Sequence, residues 1–181
     1  MKLSSIVGFF SAVAATAVMI TAGNARAAGL SPMDSKFVKT AAQGGDFEII
    51  LGRYAASHAV DPGVQAFGSQ MVTDHSKGNK GLERIAMKDG FRLPTTTSLG
   101  QKLDEARLKL YRGSSFDKAY ISEMVKGHIA MEKLFRQEIA TGQNPDVKVF
   151  AARTLPTVEH HLGMAKADLA ALESGTKVGG M

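Results

Sequence analysis

Four positions carry side chains that can bind a proton or a metal ion, and each lies in a predicted helix on an apolar stripe: Glu48, His75, His128 and His161. The first stripe reads Phe37, Ala41, Gly44, Glu48, Leu51, Ala55, His58; the second Val64, Gly68, Met71, His75, Gly78, Leu82, Ile85. In the third, Ile121, Val125, His128, Glu132, Phe135 and Ile139 share a face, and in the fourth Val147, Ala151, Thr154, Val158, His161, Ala165 and Leu172 do. Steps of three and four keep side chains on one side of a helix. An ionisable group on such a face is costly unless it is paired, neutralised or bound to a cation. Three imidazoles and a carboxylate, with Glu132 one turn beyond His128 and Asp74 beside His75, form a nitrogen and oxygen set suited to zinc, iron, manganese or copper(II).

The spacing narrows the chemistry. Di-iron carboxylate sites in helical bundles use Glu-x-x-His pairs, whereas the residues three before His75, His128 and His161 are Val72, Val125 and Val158. A mononuclear or degenerate centre fits better than a ferroxidase. Met71, Met124, Met131 and Met164 stand three or four residues from the histidines, which adds a soft donor set for copper(I) or silver, although methionine more often fills cores. The competing reading needs no metal: Glu48 pairs with His75 or His128, Asp74 holds His75, Glu132 pairs with Lys126 or Arg136, and the network fixes helix register. Catalytic motifs are lacking. The chain has no cysteine, no nucleophile elbow and no phosphate loop. Tyr54, Tyr111 and Tyr120 read as boundary residues with wet hydroxyls, and the glycines at 44, 45, 52, 68 and 78 as sites of close helix approach. His160 faces about 100° away from His161 and should be exposed.

Four long helices must position these groups. Ser31-Pro32-Met33-Asp34 opens the first, which runs to about Ala59; Asp61-Pro62-Gly63 opens the second, ending at Gly90. Gly113-Ser114-Ser115 with Asp117 caps the third, which ends near Gly142, and Asn144-Pro145-Asp146 caps the fourth, which ends before Gly175 and is kinked by Pro156. Counted from the turns, Glu48 and His75 differ in height by roughly 3 Å, and His128 and His161 by roughly 6 Å. Between the two hairpins, residues 91–113 include a short helix over Leu99 to Tyr111 with Leu103, Ala106 and Leu110 inward. Such a stretch can span the length of the helices, so the chain is predicted to be all-α: a ferritin-like four-helix bundle with a long crossover between helices 2 and 3. Val64-Gln65-Ala66-Phe67-Gly68 resembles Val147-Lys148-Val149-Phe150-Ala151, which fits two related hairpins and equally fits chance, since caps and cores constrain both.

With 181 residues, 44% of them hydrophobic, the chain can build one domain with a full core. Met1-Lys2, the apolar stretch Ile6 to Ile20 and Ala25-Arg26-Ala27 read as a cleavable secretory signal over 1–27, which predicts a periplasmic protein with no stable membrane span after cleavage. Taking Lys2 and Arg26 from the 22 basic residues leaves 20 against 17 acidic ones, a net charge of +3. These charges are interspersed, so no nucleic-acid footprint is present.

Met33-Asp34…Phe37, Ala41-Ala42-Gln43-Gly44-Gly45…Glu48, Met71-Val72…Asp74-His75, Phe116-Asp117…Tyr120…Met124-Val125…His128 and Thr154-Leu155-Pro156-Thr157…His161-Leu162 resemble domain of unknown function 4142, a bacterial family grouped with ferritin-like proteins. The resemblance covers about 34–172 and implies an exported four-helix protein without an established reaction; Glu48, Asp74, His75, His128 and His161 match its pattern, while His160 replaces a more typical acidic residue. The expectation is a signal peptide over 1–27, a ferritin-like four-helix domain over 28–174 and a flexible tail over 175–181. That domain either binds a metal ion at Glu48, His75, His128, Glu132 and His161, in a metal-binding or stress-protective role, or serves as a structural or interaction bundle. The oligomeric state is left open.

Overall fold

The computed structural model describes residues 29–178; the signal peptide expected over 1–27 and residues 179–181 of the tail lie outside them. Five helices and no strand occur among the described residues: α1 Pro32–His58, α2 Pro62–Lys88, α3 Leu99–Leu108, α4 Gly113–Thr141 and α5 Pro145–Ser174. The starts follow cap chemistry. Ser31 and Asp34 form a reciprocal capping box, and Asp61 and Asn144 each accept from the backbone N–H groups two and three residues on, with proline in the first turn. Gly175, at φ 74°, closes α5 in the left-handed conformation that favours glycine. No described helix is long and apolar enough to cross a membrane.

α1 packs on α2 and α4 on α5, and the two hairpins meet through α1 with α4 and α2 with α5. Their buried apolar side chains fall into two clusters. One gathers Leu51, Phe67, Met71, Phe116, Tyr120 and Met124; the other gathers Phe37, Val38, Leu82, Phe135, Val147 and Val158. In all four long helices the ligand-type residue sits between the stretches that feed these clusters. Gly52 and Gly68 let α1 and α2 touch through their backbones: a Cβ on either would come within 2.7 Å of the other's carbonyl oxygen.

Several expectations are corrected. Asp117 does not cap α4, whose N-cap residue Arg112 makes no side-chain cap bond. Instead the Asp117 carboxylate accepts the Val60 and Asp61 N–H groups, at 2.8 Å for the latter, in the α1–α2 turn. Asp34 does the same for Gln143 and Asn144 in the α4–α5 turn. Each hairpin therefore clamps the turn of the other. One constant sequence offset relates Asp34 to Asp117, Asp61 to Asn144, Val64 to Val147 and Phe67 to Phe150, which favours two related hairpins over chance. The expected inward set Leu103, Ala106 and Leu110 is exposed, Leu110 lies beyond the end of α3, and Leu108 is the buried residue. Amphipathic spacing names an apolar face but not its direction. Tyr120 is fully buried rather than a boundary residue, and His58 is exposed, stacked on Tyr54 at 3.9 Å. The tail is docked as far as Val178, whose side chain is buried and whose N–H donates to Asp61.

Candidate metal centre

His75, His128 and His161 converge. One ring nitrogen from each lies within 4.8 Å of the others, and the ring centroids stand 5.7, 5.5 and 5.4 Å apart, nearly an equilateral triangle. The height difference expected for His161 does not keep it away. α5 continues through Pro156, which cannot donate to the carbonyl of Ala152 one turn back.

Two of the imidazoles are fixed from outside the triangle. The His161 Nε2–H donates to Asp74 Oδ2 at 2.9 Å, joining α5 to α2, and the His128 Nδ1–H donates to the Met124 carbonyl at 2.8 Å. Asp74 therefore holds His161 and not its neighbour His75, because consecutive residues of a helix point about 100° apart. Each outer bond sets a tautomer and leaves the opposite nitrogen with its lone pair. The buried atoms His161 Nδ1, His128 Nε2 and His75 Nε2 have no hydrogen-bond partner in the protein.

The rings are neutral at neutral pH. Burial, then the two neighbouring imidazoles, pull His75 down to about 3; burial pulls His128 to about 4 against the opposing bond to Met124; burial also lowers His161 against the pull of Asp74. Burial works against ionisation of Asp74, but bonds from Gln70 and His161 outweigh it and hold that carboxyl below its usual value.

Glu48 lines the same cavity, of ≈ 40 Å³, together with Gly44, Gly78, Met131, Thr154 and Thr157. That volume accommodates an ion with a water or small ligand. Glu48 is 5% exposed, and burial, then the Glu123 charge, push its carboxyl up to about 8. Its Oε1 stands 4.0 Å from His128 Nδ1, a nitrogen already committed to Met124, and its Oε2 has no partner. Glu48 thus lies beside the triangle without pairing with a histidine. Glu132 is not brought to the cluster: it faces outward and binds Arg136 at 2.9 Å, with Glu159 on the same guanidinium. His160 is exposed.

Three neutral, lone-pair-bearing nitrogens fit zinc or copper(II), whose bonds to imidazole of about 2.0–2.1 Å would draw the nitrogens together by roughly 1 Å. They fit a di-iron carboxylate centre poorly, since the only other carboxylate among these residues, Asp74, is already bonded to His161. Methionine contributes less than the spacing suggested. Met71 and Met124 are sealed in the apolar core, and only Met131 reaches the cavity, where Gly44 leaves room for its methyl group. Sequence reasoning missed the Asp74–His161 pairing, which is visible only once α2 and α5 are side by side.

A family model described as "Domain of unknown function (DUF4142)" matches residues 20–167. Among solved structures the fold is similar to a DUF305 fragment from Deinococcus radiodurans, with a TM-score of 0.70 and 12% identity over 78% of this chain and 98% of that one. A putative secreted DUF305 protein from Streptomyces coelicolor gives 0.67 and 13% over 82% and 96%. No curated protein sequence matches the chain.

Proposed function

This chain belongs to the DUF4142 family, and we propose that it is an exported, ferritin-like four-helix bundle that binds a transition-metal ion at His75, His128 and His161. One observation carries this reading: one ring nitrogen from each of three imidazoles lies within 4.8 Å of the others, and each ring keeps a buried nitrogen with no protein partner. A network that only fixed helix register would pair its members, because an unpartnered buried polar atom costs about 1–3 kcal/mol. Glu48 approaches a histidine no closer than 4.0 Å, at a His128 nitrogen already bonded to the Met124 carbonyl. Asp74 and the Met124 carbonyl act as the outer partners that orient metal-binding imidazoles. Glu48 is the group whose deprotonation would balance the charge of an ion, which is how we assign it a part in the site. The adjacency of α1 with α4 and of α2 with α5 supports the crossover topology of the bundle.

The ion would supply Lewis acidity at a buried, three-coordinate position. No residue of the site is placed as a nucleophile or general base, so binding, storage or protection is the function the geometry favours. Metal analysis of untagged protein from the periplasmic fraction tests this: about one zinc or copper per chain is expected, and a metal-free protein that also ignores added ions contradicts it. Export rests on the apolar Ile6 to Ile20 stretch and Ala25-Arg26-Ala27. An N-terminus at Ala28 is the expected result of sequencing, and an intact Met1 the contrary one.

A further inference from the structure

The cavity has a mouth. A groove of ≈ 700 Å³ runs between α2 and α5, and Asp74, Gly78, Phe150, Thr154 and Thr157 line both the groove and the histidine cavity. At Gly78 the passage is open, because a Cβ there would meet nothing within 4 Å. The groove's walls are basic. Lys77, Arg84 and Lys88 follow one another along α2 at helical spacing, and Arg153 faces them from α5. Its two carboxylates are already engaged, Asp146 with Lys88 and Asp74 with Gln70 and His161. Lys77, Arg84 and Arg153 form no ion pair among the described residues, so three positive charges stand against the one carboxylate with uncharged partners, Asp74, and the passage keeps a net positive field. A field of that sign repels free cations and gathers small anions.

We propose that this groove is an anion-binding entrance: a small oxyanion or carboxylate is drawn in by Lys77, Arg84 and Arg153, passes Gly78, and occupies the coordination position that three protein imidazoles leave open. This rests on the metal reading above. Zinc and copper(II) take four or more ligands. The chain offers three imidazoles with nitrogens within 4.8 Å of one another, and Glu48, although it lines the cavity, stands 4.0 Å from the committed Nδ1 of His128. Thr154 and Thr157 supply hydroxyl groups along the route, donors that suit an oxyanion.

Cobalt(II) is the probe, since its visible absorption reports its ligands. The protein is loaded with cobalt, its affinity measured, and the spectrum then titrated with azide, bicarbonate, acetate and phosphate. The parent is expected to bind one cobalt and to change its spectrum saturably with at least one anion. The charge reversal Lys77→Glu, Arg84→Glu, Arg153→Glu should weaken the apparent anion Kd at least about tenfold, with cobalt still bound. Gly78→Leu, which adds bulk in open space and improves helix propensity, should block the response outright. If that variant fails to fold, the charge reversal on exposed side chains decides alone. A bound cobalt whose spectrum ignores every anion, or an anion response unchanged in the charge-reversed protein, overturns the entrance and leaves the metal reading intact. A parent that binds no cobalt overturns both.

Discussion

Two sets of polar side chains are buried here, and they are built on opposite terms. At the ends of the helices Asp34 and Asp117, both 0% exposed, receive two backbone N–H groups each from the turn of the other hairpin. At mid-height, His75, His128, His161 and Glu48 each keep a buried atom with no protein partner. Burial alone does not separate these two sets; satisfaction does, although Tyr120 Oη and both carboxylate oxygens of Glu138 are buried and unpartnered as well. The carboxylates hold turn backbone across the hairpins, whereas His128 and His161 are oriented by Met124 and Asp74 and each of the three rings keeps a nitrogen free. The hairpin repeat sharpens the contrast. The aspartates and turn residues recur at one offset, but the same offset carries His128 onto Gly45, His161 onto Gly78 and His75 onto Val158. The clamps belong to the repeat and the three histidines do not.

Removing a clamp is expected to have the largest effect. Asp117→Ala removes the acceptor of the Val60 and Asp61 N–H groups in a part-buried turn and should cost about 1–3 kcal/mol of unfolding free energy by denaturant titration. Any stabilisation by metal should survive in this variant. If it vanished together with the fold's stability, the two regions would not be independent.

Next comes the outer partner of His161. Asp74→Asn leaves the triangle in place but weakens the acceptor that fixes its tautomer, so metal affinity should fall roughly 10- to 100-fold while the melting temperature of the metal-free protein changes little. An equal loss of metal-free stability would make Asp74 a second clamp.

The pH response separates the regions without mutation of either. In the metal-free protein His75 and His128 titrate at about 3 and 4 against 6.5 unfolded. Below 6.5 the unfolded chain takes up protons that the folded one refuses, so stability falls as pH drops from there toward 4. Asp34 titrates at about 2 against 3.8 unfolded; its contribution is present above about 4 and is lost only as pH falls toward 2. Glu48 acts in the reverse direction. At about 8 folded against 4.5 unfolded, its contribution is present below 4.5 and is lost as pH rises toward 8. Denaturant titrations across pH should therefore show Glu48→Gln reducing a loss between pH 5 and 8 to which Glu138, raised to about 7, and Asp168, raised to about 6, also contribute. A Glu48→Gln profile that retains the parent's slope there contradicts the burial argued for this carboxyl.

The smallest effect is expected one residue from the triangle. His160→Gln replaces an exposed ring and should change stability by less than about 0.5 kcal/mol, with metal affinity unaltered.

Much of this was legible in the sequence. Ser31, Asp61, Asn144 and the prolines after them placed three helix starts, and the three-and-four spacing placed His75, His128 and His161 inward. What was not legible depends on which elements lie side by side. The apolar positions of residues 99–110 have helical period, yet Leu103 and Leu110 face solvent, because period does not say where a crossover segment lies. Asp117 near a helix start reads as a local cap until the other hairpin's turn is brought to it. The pairing of Glu132 with Arg136, by contrast, was one of the alternatives its spacing offered, since the two lie one turn apart on α4. Asp74 lies beside His75 in sequence and beside His161 in space.

The central claim is that the unpartnered imidazoles exist to bind a metal ion. Melting curves of the metal-free protein with zinc, copper, manganese and iron(II) test it most directly, with the parent compared to a variant in which Glu48, His75, His128 and His161 are all replaced by apolar residues of similar volume. Without metal that variant should be as stable as the parent or more so, because no polar atom is left stranded. With zinc or copper the parent should melt higher, by an amount that grows with free ion concentration, about 2.7 kcal/mol at a hundred times Kd, while the variant should not respond. A parent that melts at the same temperature with every ion, beside a variant that outlasts it, would contradict the claim and leave the histidines a costly feature of the core.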